Sequence, residues 1–368
     1  MRVKLKDITK FSKGTQINGK NLIDDGAYSY LNGGINPSGK WNEFNVAENT
    51  VTISEGGNSS GYVNYMSKAF WCGAHCYYLY DGPKNSKYLY YALKSQQERL
   101  FRIRSGACMP NIRKSDLGNF IIEYEEDETR QEEVVKVLEK CELLIEDYNK
   151  KLALLDEAVR ARFVEMFGTL HDNENRFNIV TIKEVCSIIK DGTHQTPHYT
   201  EDKINGYKFL SSKDVMSQKI DWKNIKYIPK DLHEKLYASI QPQRNDILMS
   251  KNGVNYGVAA VNDTDEVFDI YVSLALLRPK QLIDPVFFRC VINSIETKRQ
   301  FDMSIKGIGV PNLHLGEIKK TKIILPPMVL QKQFVTFVKQ IDKSRSRIQK
   351  SLEASQELFD SLMQEYFS

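Results

Sequence analysis

Residues 129–167 read TRQEEVVKVLEKCELLIEDYNKKLALLDEAVRARFVEMF, and this run decides the organisation of the chain. Val134, Leu138, Cys141, Ile145, Tyr148, Leu152, Leu155, Val159, Phe163 and Met166 recur at steps of four and three, the last steps slightly irregular. Apolar residues at that spacing line one seam of a helix, while Glu, Asp, Lys and Arg fill most other positions. Thr129 followed by Glu132 reads as a capping box, and Gly168 stands where a helix ends. At 1.5 Å per residue such a helix spans about 55 Å. That is more than one small domain needs, so the seam calls for a partner helix.

The chain supplies one. Phe334, Val338, Ile341, Ile348, Leu352, Phe359, Leu362 and Tyr366 fall on the same seam, Val338 standing 200 positions after Leu138, and Pro326-Pro327 marks the start. Arg345 and Ser355 interrupt it where the first copy has Ile145 and Leu155. Met166-Phe167 is answered by Tyr366-Phe367. Two unrelated amphipathic helices would have no reason to share a register.

The stretches before each helix repeat as well. Val3-Lys4-Leu5-Lys6-Asp7-Ile8 alternates and meets the turn Lys13-Gly14-Thr15-Gln16; Val180-Thr181-Ile182-Lys183-Glu184-Val185 alternates and meets Lys190-Asp191-Gly192-Thr193-His194-Gln195. Tyr28-Ser29-Tyr30-Leu31-Asn32-Gly33 is matched by Tyr207-Lys208-Phe209-Leu210-Ser211-Ser212, each a strand ending in small polar residues. Thr50-Val51-Thr52-Ile53-Ser54 runs into the loop Glu55-Gly56-Gly57-Asn58, and Asp246-Ile247-Leu248-Met249-Ser250 into Lys251-Asn252-Gly253. Gly61-Tyr62-Val63 answers Gly257-Val258-Ala259. Helical stretches at 88–102 and 285–303 precede Gly106 with Pro110-Asn111 and Gly309 with Pro311-Asn312, then short strands at Phe120-Ile121-Ile122 and Lys322-Ile323-Ile324. The expected fold is α+β, an internal two-fold repeat. Each copy is a mixed α/β domain of about 125–160 residues, an ordinary domain size, followed by one long helix.

Composition sets the outer bounds. The 368 residues leave room for two globular domains besides the helices, and 41% hydrophobic with 27% charged residues is ordinary soluble material. A formal charge of +4 permits a nucleic-acid partner without demanding one. Six scattered cysteines and no secretion signal point to reduced thiols in the cytosol. Apolar runs are too short to span a membrane. A cytoplasmic protein with no membrane role is expected.

The order Asp191-Gly192-Thr193-His194, Phe209-Leu210-Ser211-Ser212, Asp246-Ile247-Leu248-Met249-Ser250 and Gly309-Val310-Pro311-Asn312-Leu313, closing on Ile324-Leu325-Pro326-Pro327 and a helix, resembles the specificity subunit of type I restriction–modification systems. The resemblance covers essentially the whole chain and includes the two-fold repeat. It implies target-recognition domains at 1–128 and 169–326. It implies long helices at 129–168 and 327–368 that pair as an antiparallel coiled coil, serving as spacer and docking surface. It further implies double-stranded DNA and two methyltransferase (modification) subunits as partners, with restriction subunits joining to give the nuclease. S-adenosylmethionine would then belong to the methyltransferase subunits, and ATP and magnesium to the restriction subunits, with no cofactor or metal in this chain. The first half departs from the pattern, since Lys13-Gly14-Thr15-Gln16 has no histidine. That bears on the target read rather than on the role.

The residues themselves offer no catalytic set. An adenine methyltransferase needs a motif such as Asn-Pro-Pro-Tyr to hold a flipped base, and Asn36-Pro37-Ser38-Gly39 lacks the second proline and the aromatic. Gly56-Gly57-Asn58-Ser59-Ser60-Gly61 is not followed by the Gly-Lys-Ser/Thr of a phosphate loop. Cys72, His75 and Cys76 make the one metal-like cluster, but no second Cys/His pair lies nearby to close it. Alternation over 71–79 reads as a buried strand in which cysteine is a small apolar filler. The chain reads as a non-catalytic reader of DNA.

Readers use polar loops, with Asn or Gln suited to adenine and Arg or Lys to guanine. The candidates are Lys13, Thr15, Gln16, Asn32, Asn58 and Ser59 in the first domain. In the second they are Thr193, His194, Gln195, Ser212, Lys213, Lys251 and Asn252. Each could equally be a turn residue bonding its own backbone. Two domains on paired helices suggest a bipartite target, two short blocks with an unread gap. Two other readings stay open: a coiled-coil protein–protein adaptor without DNA specificity, and the recognition part of another type of restriction system.

Overall fold

The computed structural model describes residues 1–106, 108–305 and 311–367. Gly309 and Val310 of the repeat motif lie outside them. The chain folds as two compact units, one made of residues 1–151 with 348–368 and the other of 152–347. Each unit therefore holds one globular domain together with parts of both long helices, a grouping that differs from the linear order domain, helix, domain, helix.

Unit 1 contains the strands β1 (Arg2–Lys4), β2 (Lys10–Lys13), β3 (Tyr28–Leu31), β4 (Gly39–Trp41), β5 (Thr50–Ser54), β6 (Val63–Met66), β7 (Phe70–Cys72), β8 (Cys76–Tyr80) and β9 (Ile121–Glu123). They form a ribbon β1-β9, a four-stranded sheet ordered β2-β8-β5-β6 and a three-stranded sheet ordered β4-β3-β7. Unit 2 contains β10 (Asn178–Thr181), β11 (Cys186–Asp191), β12 (Tyr207–Leu210), β13 (Lys226–Ile228), β14 (Ile247–Ser250), β15 (Ala259–Val261), β16 (Phe268–Ile270), β17 (Leu274–Pro279) and β18 (Lys322–Leu325). Its sheets are ordered β10-β18, β11-β17-β14-β15 and β13-β12-β16, the same topology strand for strand. In both units the pairing of the third and seventh strands is parallel and the others are antiparallel. The repeat read from the sequence is thus a repeat of fold.

Three local expectations are corrected. The alternating openings are strands only at first; each then passes into one helical turn, Leu5–Ile8 and Ile182–Val185. In unit 2 the Thr181 backbone and hydroxyl both donate to the Glu184 carboxylate, at 2.6 and 2.7 Å, a capping box that ends the strand and starts the turn. The stretch 71–79 is two strands, β7 and β8, in different sheets, because the Gly73–His75 turn carries the chain from one to the other. The helical stretches before each long helix are likewise broken, into Ser86–Lys94 with Gln97–Arg102 and Pro285–Ile292 with Ile295–Ser304. At these breaks a polar side chain turns to a strand backbone: Gln97 accepts from Val63 N–H at 3.0 Å, and Asn293 accepts from Ala259 N–H at 2.9 Å.

The long helices are Glu128–Phe167 and Met328–Phe367, of 40 residues each. Asp127, not Thr129, is the cap of the first: its carboxylate accepts the Thr129 N–H at 2.9 Å, so the helix begins two residues earlier than the capping-box reading expects. Gly168 ends it with φ +69°, and a Cβ there would meet the Asp172 carbonyl oxygen at 2.3 Å, which excludes other residues. Along both helices the seam positions are covered and the positions between them are mostly exposed.

The pairing is antiparallel. In unit 1 the start of the first helix, with Val134, Val135 and Leu138, shares a core with the end of the second, where Met363 and Phe367 are buried and Phe359, Leu362 and Tyr366 pack alongside. In unit 2 the end of the first helix, with Phe163, Met166 and the fully buried Phe167, shares a core with Phe334, Val335 and Val338 from the start of the second. The interruption at Arg345 is filled by charge, its guanidinium meeting Asp156 at 2.6 Å. No helix among the described residues is long and apolar enough to cross a membrane.

Candidate nucleic-acid interface

At one end of the sheets in unit 1, four turns are knotted together by backbone hydrogen bonds. Thr15 N–H donates to the Cys72 carbonyl at 2.9 Å, Glu55 N–H to that of His75 at 2.8 Å, Gly57 N–H to that of Pro110 at 2.9 Å, and Ile112 N–H to that of Glu55 at 2.9 Å. Unit 2 repeats the pattern: Thr193 to Ile270 at 3.2 Å, Lys251 to Ser273 at 2.9 Å, Gly253 to Pro311 at 3.0 Å, and Leu313 to Lys251 at 2.7 Å. These bonds fix the residue-by-residue equivalence of the units. Lys13-Gly14-Thr15-Gln16 lies on Asp191-Gly192-Thr193-His194, and Glu55 lies on Lys251.

Glycine is required at the heart of each cluster. A Cβ on Gly14 would stand 1.9 Å from the Cys72 oxygen, and one on Gly192 would stand 1.9 Å from the Ile270 oxygen. The Pro-Asn segments form isolated bridges to the loop after the fifth strand of each unit, Gly56 with Asn111 and Asn252 with Asn312. The repeated Pro-Asn therefore acts as a brace for the candidate reading loop, a role the sequence reading did not assign.

The candidate residues divide by what their side chains do. Gln16, Asn58, His194 and Gln195 are exposed on the cluster. The Asn58 carbonyl is held by Arg104 Nη1 at 3.4 Å. Ser59 instead donates to the Gly33 carbonyl at 2.6 Å, and Ser54 donates to the same oxygen, so these hydroxyls tie two loops together. Asn32 accepts the His75 N–H at 3.4 Å, and the Thr193 hydroxyl accepts the Gln195 N–H at 3.2 Å. Ser212 N–H donates to the Ser273 hydroxyl at 3.0 Å. Lys213 reaches the Asn224 carbonyl at 2.8 Å and is paired with Asp214. The Asn252 side-chain oxygen is buried with no hydrogen-bond partner among the described residues. Thr15 offers its carbonyl to the Trp71 indole at 2.7 Å.

Lys13 and Lys251 are engaged rather than free. Lys13 Nζ meets Glu55 at 2.7 Å, and Lys251, its side chain 5% exposed, meets Asp191 at 2.8 Å. A buried ammonium is tolerable only when paired, and this one is. Beneath Lys13, burial pushes the Tyr77 hydroxyl up to about 12, with the Glu55 charge adding to it. Cys72 and Cys76 are buried, and the Cys72 thiol is pushed well above its ordinary range, first by its hydrogen bond with Cys76 and then by burial. His75 turns away from both cysteines to Glu55, at 3.3 Å.

A family model described as the type I restriction modification DNA specificity domain matches residues 1–156 and again 174–356. The chain belongs to this family. A Mycoplasma pneumoniae protein provisionally named a type I specificity subunit is 36% identical over 169 residues, 45% of this chain and 44% of that relative, so the match spans less than half of it. A Mycoplasma genitalium protein with the same provisional description is 27% identical over 375 residues, 96% of this chain and 90% of the relative. The crystal structure of a type I restriction–modification S subunit from M. genitalium shares the fold, with a TM-score of 0.62 at 21% identity over 100% of this chain and 96% of that one. The two family matches coincide with the two units' sheets, so each unit is one DNA specificity domain with its own loop cluster. Glu55 and Asp191 were not among the sequence candidates, and His75 entered only as a member of the metal-like cluster, because their significance lies in partners brought close only by the sheets.

Proposed function

We propose that this chain reads a bipartite double-stranded DNA target, one short block per specificity domain. It does so as the non-catalytic recognition subunit of a type I restriction–modification complex. The observation that carries the reading is the recurrence of one loop cluster, bond for bond, at the same strand ends of both units. Two equivalent polar surfaces suit two half-sites, as paired recognition elements do in other DNA readers. Exposed Gln16 and Asn58 in one unit and His194 and Gln195 in the other supply side chains of the kind that read base edges.

The helices take the second part of the reading. Each is continuous from the core of one unit to that of the other, so their length would set the unread gap, and their exposed faces would carry two methyltransferase subunits. Restriction subunits would join those. S-adenosylmethionine, ATP and magnesium would be bound by the partners, which perform methyl transfer to adenine N6 and cleavage.

The test is the methylation pattern of genomic DNA from cells holding the methyltransferase subunit with and without this chain. A modified two-block motif that vanishes with the chain is the expected result. An unchanged pattern with an active methyltransferase would overturn the reading in favour of a coiled-coil adaptor.

A further inference from the structure

The equivalent positions at the two loop clusters carry the same salt bridge with its charges exchanged. In unit 1 the strand-end residue is the cation and the loop residue the anion, Lys13 and Glu55, at 2.7 Å. In unit 2 the strand-end residue is the anion and the loop residue the cation, Asp191 and Lys251, at 2.8 Å. In both, the carboxylate also meets an exposed imidazole: His75 Nδ1 at 3.3 Å from Glu55, and His194 Nε2 at 3.3 Å from Asp191. The two histidines come from different loops, one from the turn between β7 and β8 and the other from the turn after β11. They reach their carboxylates through opposite ring nitrogens. The same three-part arrangement has been assembled from different positions in the two units.

We infer that each triplet is a device that orients one imidazole toward DNA, so that the outward nitrogen of His75 and of His194 accepts a hydrogen bond from the exocyclic amino group of a base. This rests on the DNA-reading function proposed above and deepens it. A carboxylate paired with an ammonium is an acceptor only, so His75 Nδ1, hydrogen-bonded to Glu55 at 3.3 Å, carries the proton, and His194 Nε2, at ion-pair distance from Asp191, would carry it likewise when it bonds that carboxylate. In the neutral form of the ring the opposite nitrogen is then a bare acceptor. Those outward nitrogens are Nε2 of His75 and Nδ1 of His194, on side chains 60% and 73% exposed.

The chemistry of the duplex decides what an outward acceptor can meet. Phosphates offer acceptors alone. Donors come from the amino groups of adenine N6 and cytosine N4 in the major groove and of guanine N2 in the minor groove. A ring fixed in this tautomer therefore discriminates between bases. The lysine completes the device. Without it the carboxylate would bring an uncompensated negative charge close to the phosphates; with it the pair is neutral and the imidazole can be held there. That requirement concerns the pair and not the position of either member, which explains how the charges could be exchanged between the units.

The test uses the chain with its methyltransferase partner and the two-block target found by methylation mapping. Duplexes are made in which one amino group at a time is missing, with purine for adenine, 2-pyrimidinone for cytosine and hypoxanthine for guanine. For the native chain, one such duplex in each block should bind roughly tenfold more weakly or worse, the size of a good base contact. His75→Ala should abolish the sensitivity in one block and His194→Ala in the other, with unchanged thermal unfolding. Glu55→Lys sets an ammonium in front of His75 and should weaken binding, and the double variant Lys13→Asp/Glu55→Lys should not restore it, because His75 still lacks the carboxylate that orients it.

Sensitivity that persists in both histidine variants would overturn the inference. So would a uniform loss across all duplexes with a salt dependence smaller by about one ion, the mark of a phosphate contact. Failure of the underlying reading is distinct, because it shows earlier, as the absence of any two-block motif, and the inference falls with it.

Discussion

Gln131 and Gln331 occupy the same place in the first turn of the two long helices, both buried, and each donates its side-chain amide to a carbonyl just before its helix, Glu125 at 2.6 Å and Pro326 at 2.8 Å. The pair pins the direction in which each helix leaves its domain. The two glutamines are not equally engaged. Gln331 also accepts the Asp284 N–H at 2.8 Å, whereas the Gln131 side-chain oxygen is buried without a partner among the described residues.

Truncating these glutamines should therefore have unequal effects. Gln331→Ala strands a buried N–H and carbonyls and should cost about 2–4 kcal/mol, while Gln131→Ala, losing donors alone, should cost about 1–2 kcal/mol. Urea titration of each variant, with hydrogen exchange to assign the transition to a unit, measures both. Equal losses would show that the Asp284 bond contributes little.

The charged patch on the second helix should be asymmetric too. Arg289 is buried, pairs with Asp342 at 3.4 Å, and keeps an Nε without a partner among the described residues. Asp342→Ala leaves that guanidinium uncompensated and should destabilise unit 2 by about 3 kcal/mol or more. Arg345→Ala breaks a pair with the exposed Asp156 and should cost about 1 kcal/mol or less. Thermal unfolding that ranks the two variants the other way would refute this account of the seam.

Phe167 and Phe367 end the two helices deep in the core of the unit that the other helix starts from. Either phenylalanine replaced by alanine should cost about 3–5 kcal/mol, and locally. Hydrogen exchange should show Phe367→Ala loosening unit 1 and Phe167→Ala loosening unit 2. Loss spread evenly over the whole chain in either case would argue against the division into two units.

Alkaline pH should weaken unit 1 in particular. Burial pushes the hydroxyls of Tyr77 and Tyr88 up to about 12, from an ordinary 10, and drives those of Tyr90 and Tyr91 higher still. With folded values raised, the folded state keeps protons that the unfolded chain has lost. The contribution is complete below pH 10 and disappears as pH rises toward 12. Tyrosinate absorbance should appear together with loss of unit 1 structure; ionisation of these tyrosines with unit 1 still folded would contradict the burial argument.

Gly192→Ala should damage reading without melting the core. The added methyl would stand 1.9 Å from a backbone oxygen, a contact that only movement of the turn can relieve. A cost of about 1–3 kcal/mol is expected, confined to the loop cluster. Methylation at one block should fall while the other is still read, and a native pattern would show the turn to be free of the DNA.

Much of this was legible in the residues. The seam from Val134 to Met166 gave the first helix, and its echo from Phe334 to Tyr366 gave the second, because burial of one face imposes a spacing that survives in the sequence. The strands at Thr50–Ser54 and Ile247–Ser250 were equally plain. Where the reading slipped, the cause was local. Asp127 caps the first helix ahead of Thr129, and the glycine turn at Gly73 splits what alternation had joined.

By itself the sequence determined the duplication, the two helices and their shared register, since these follow from short-range periodicity and from comparing one half with the other. Tertiary structure decided which side chains meet. Lys13 finds Glu55, Asp191 finds Lys251, and each carboxylate finds an imidazole, through sheets that bring distant strand ends together. A comparison of halves sets Lys13 against Asp191 and shows only a reversed charge. The reversal becomes a conserved interaction once the opposite partner is seen reversed as well, because electrostatic attraction depends on the pair and leaves no trace in either position alone.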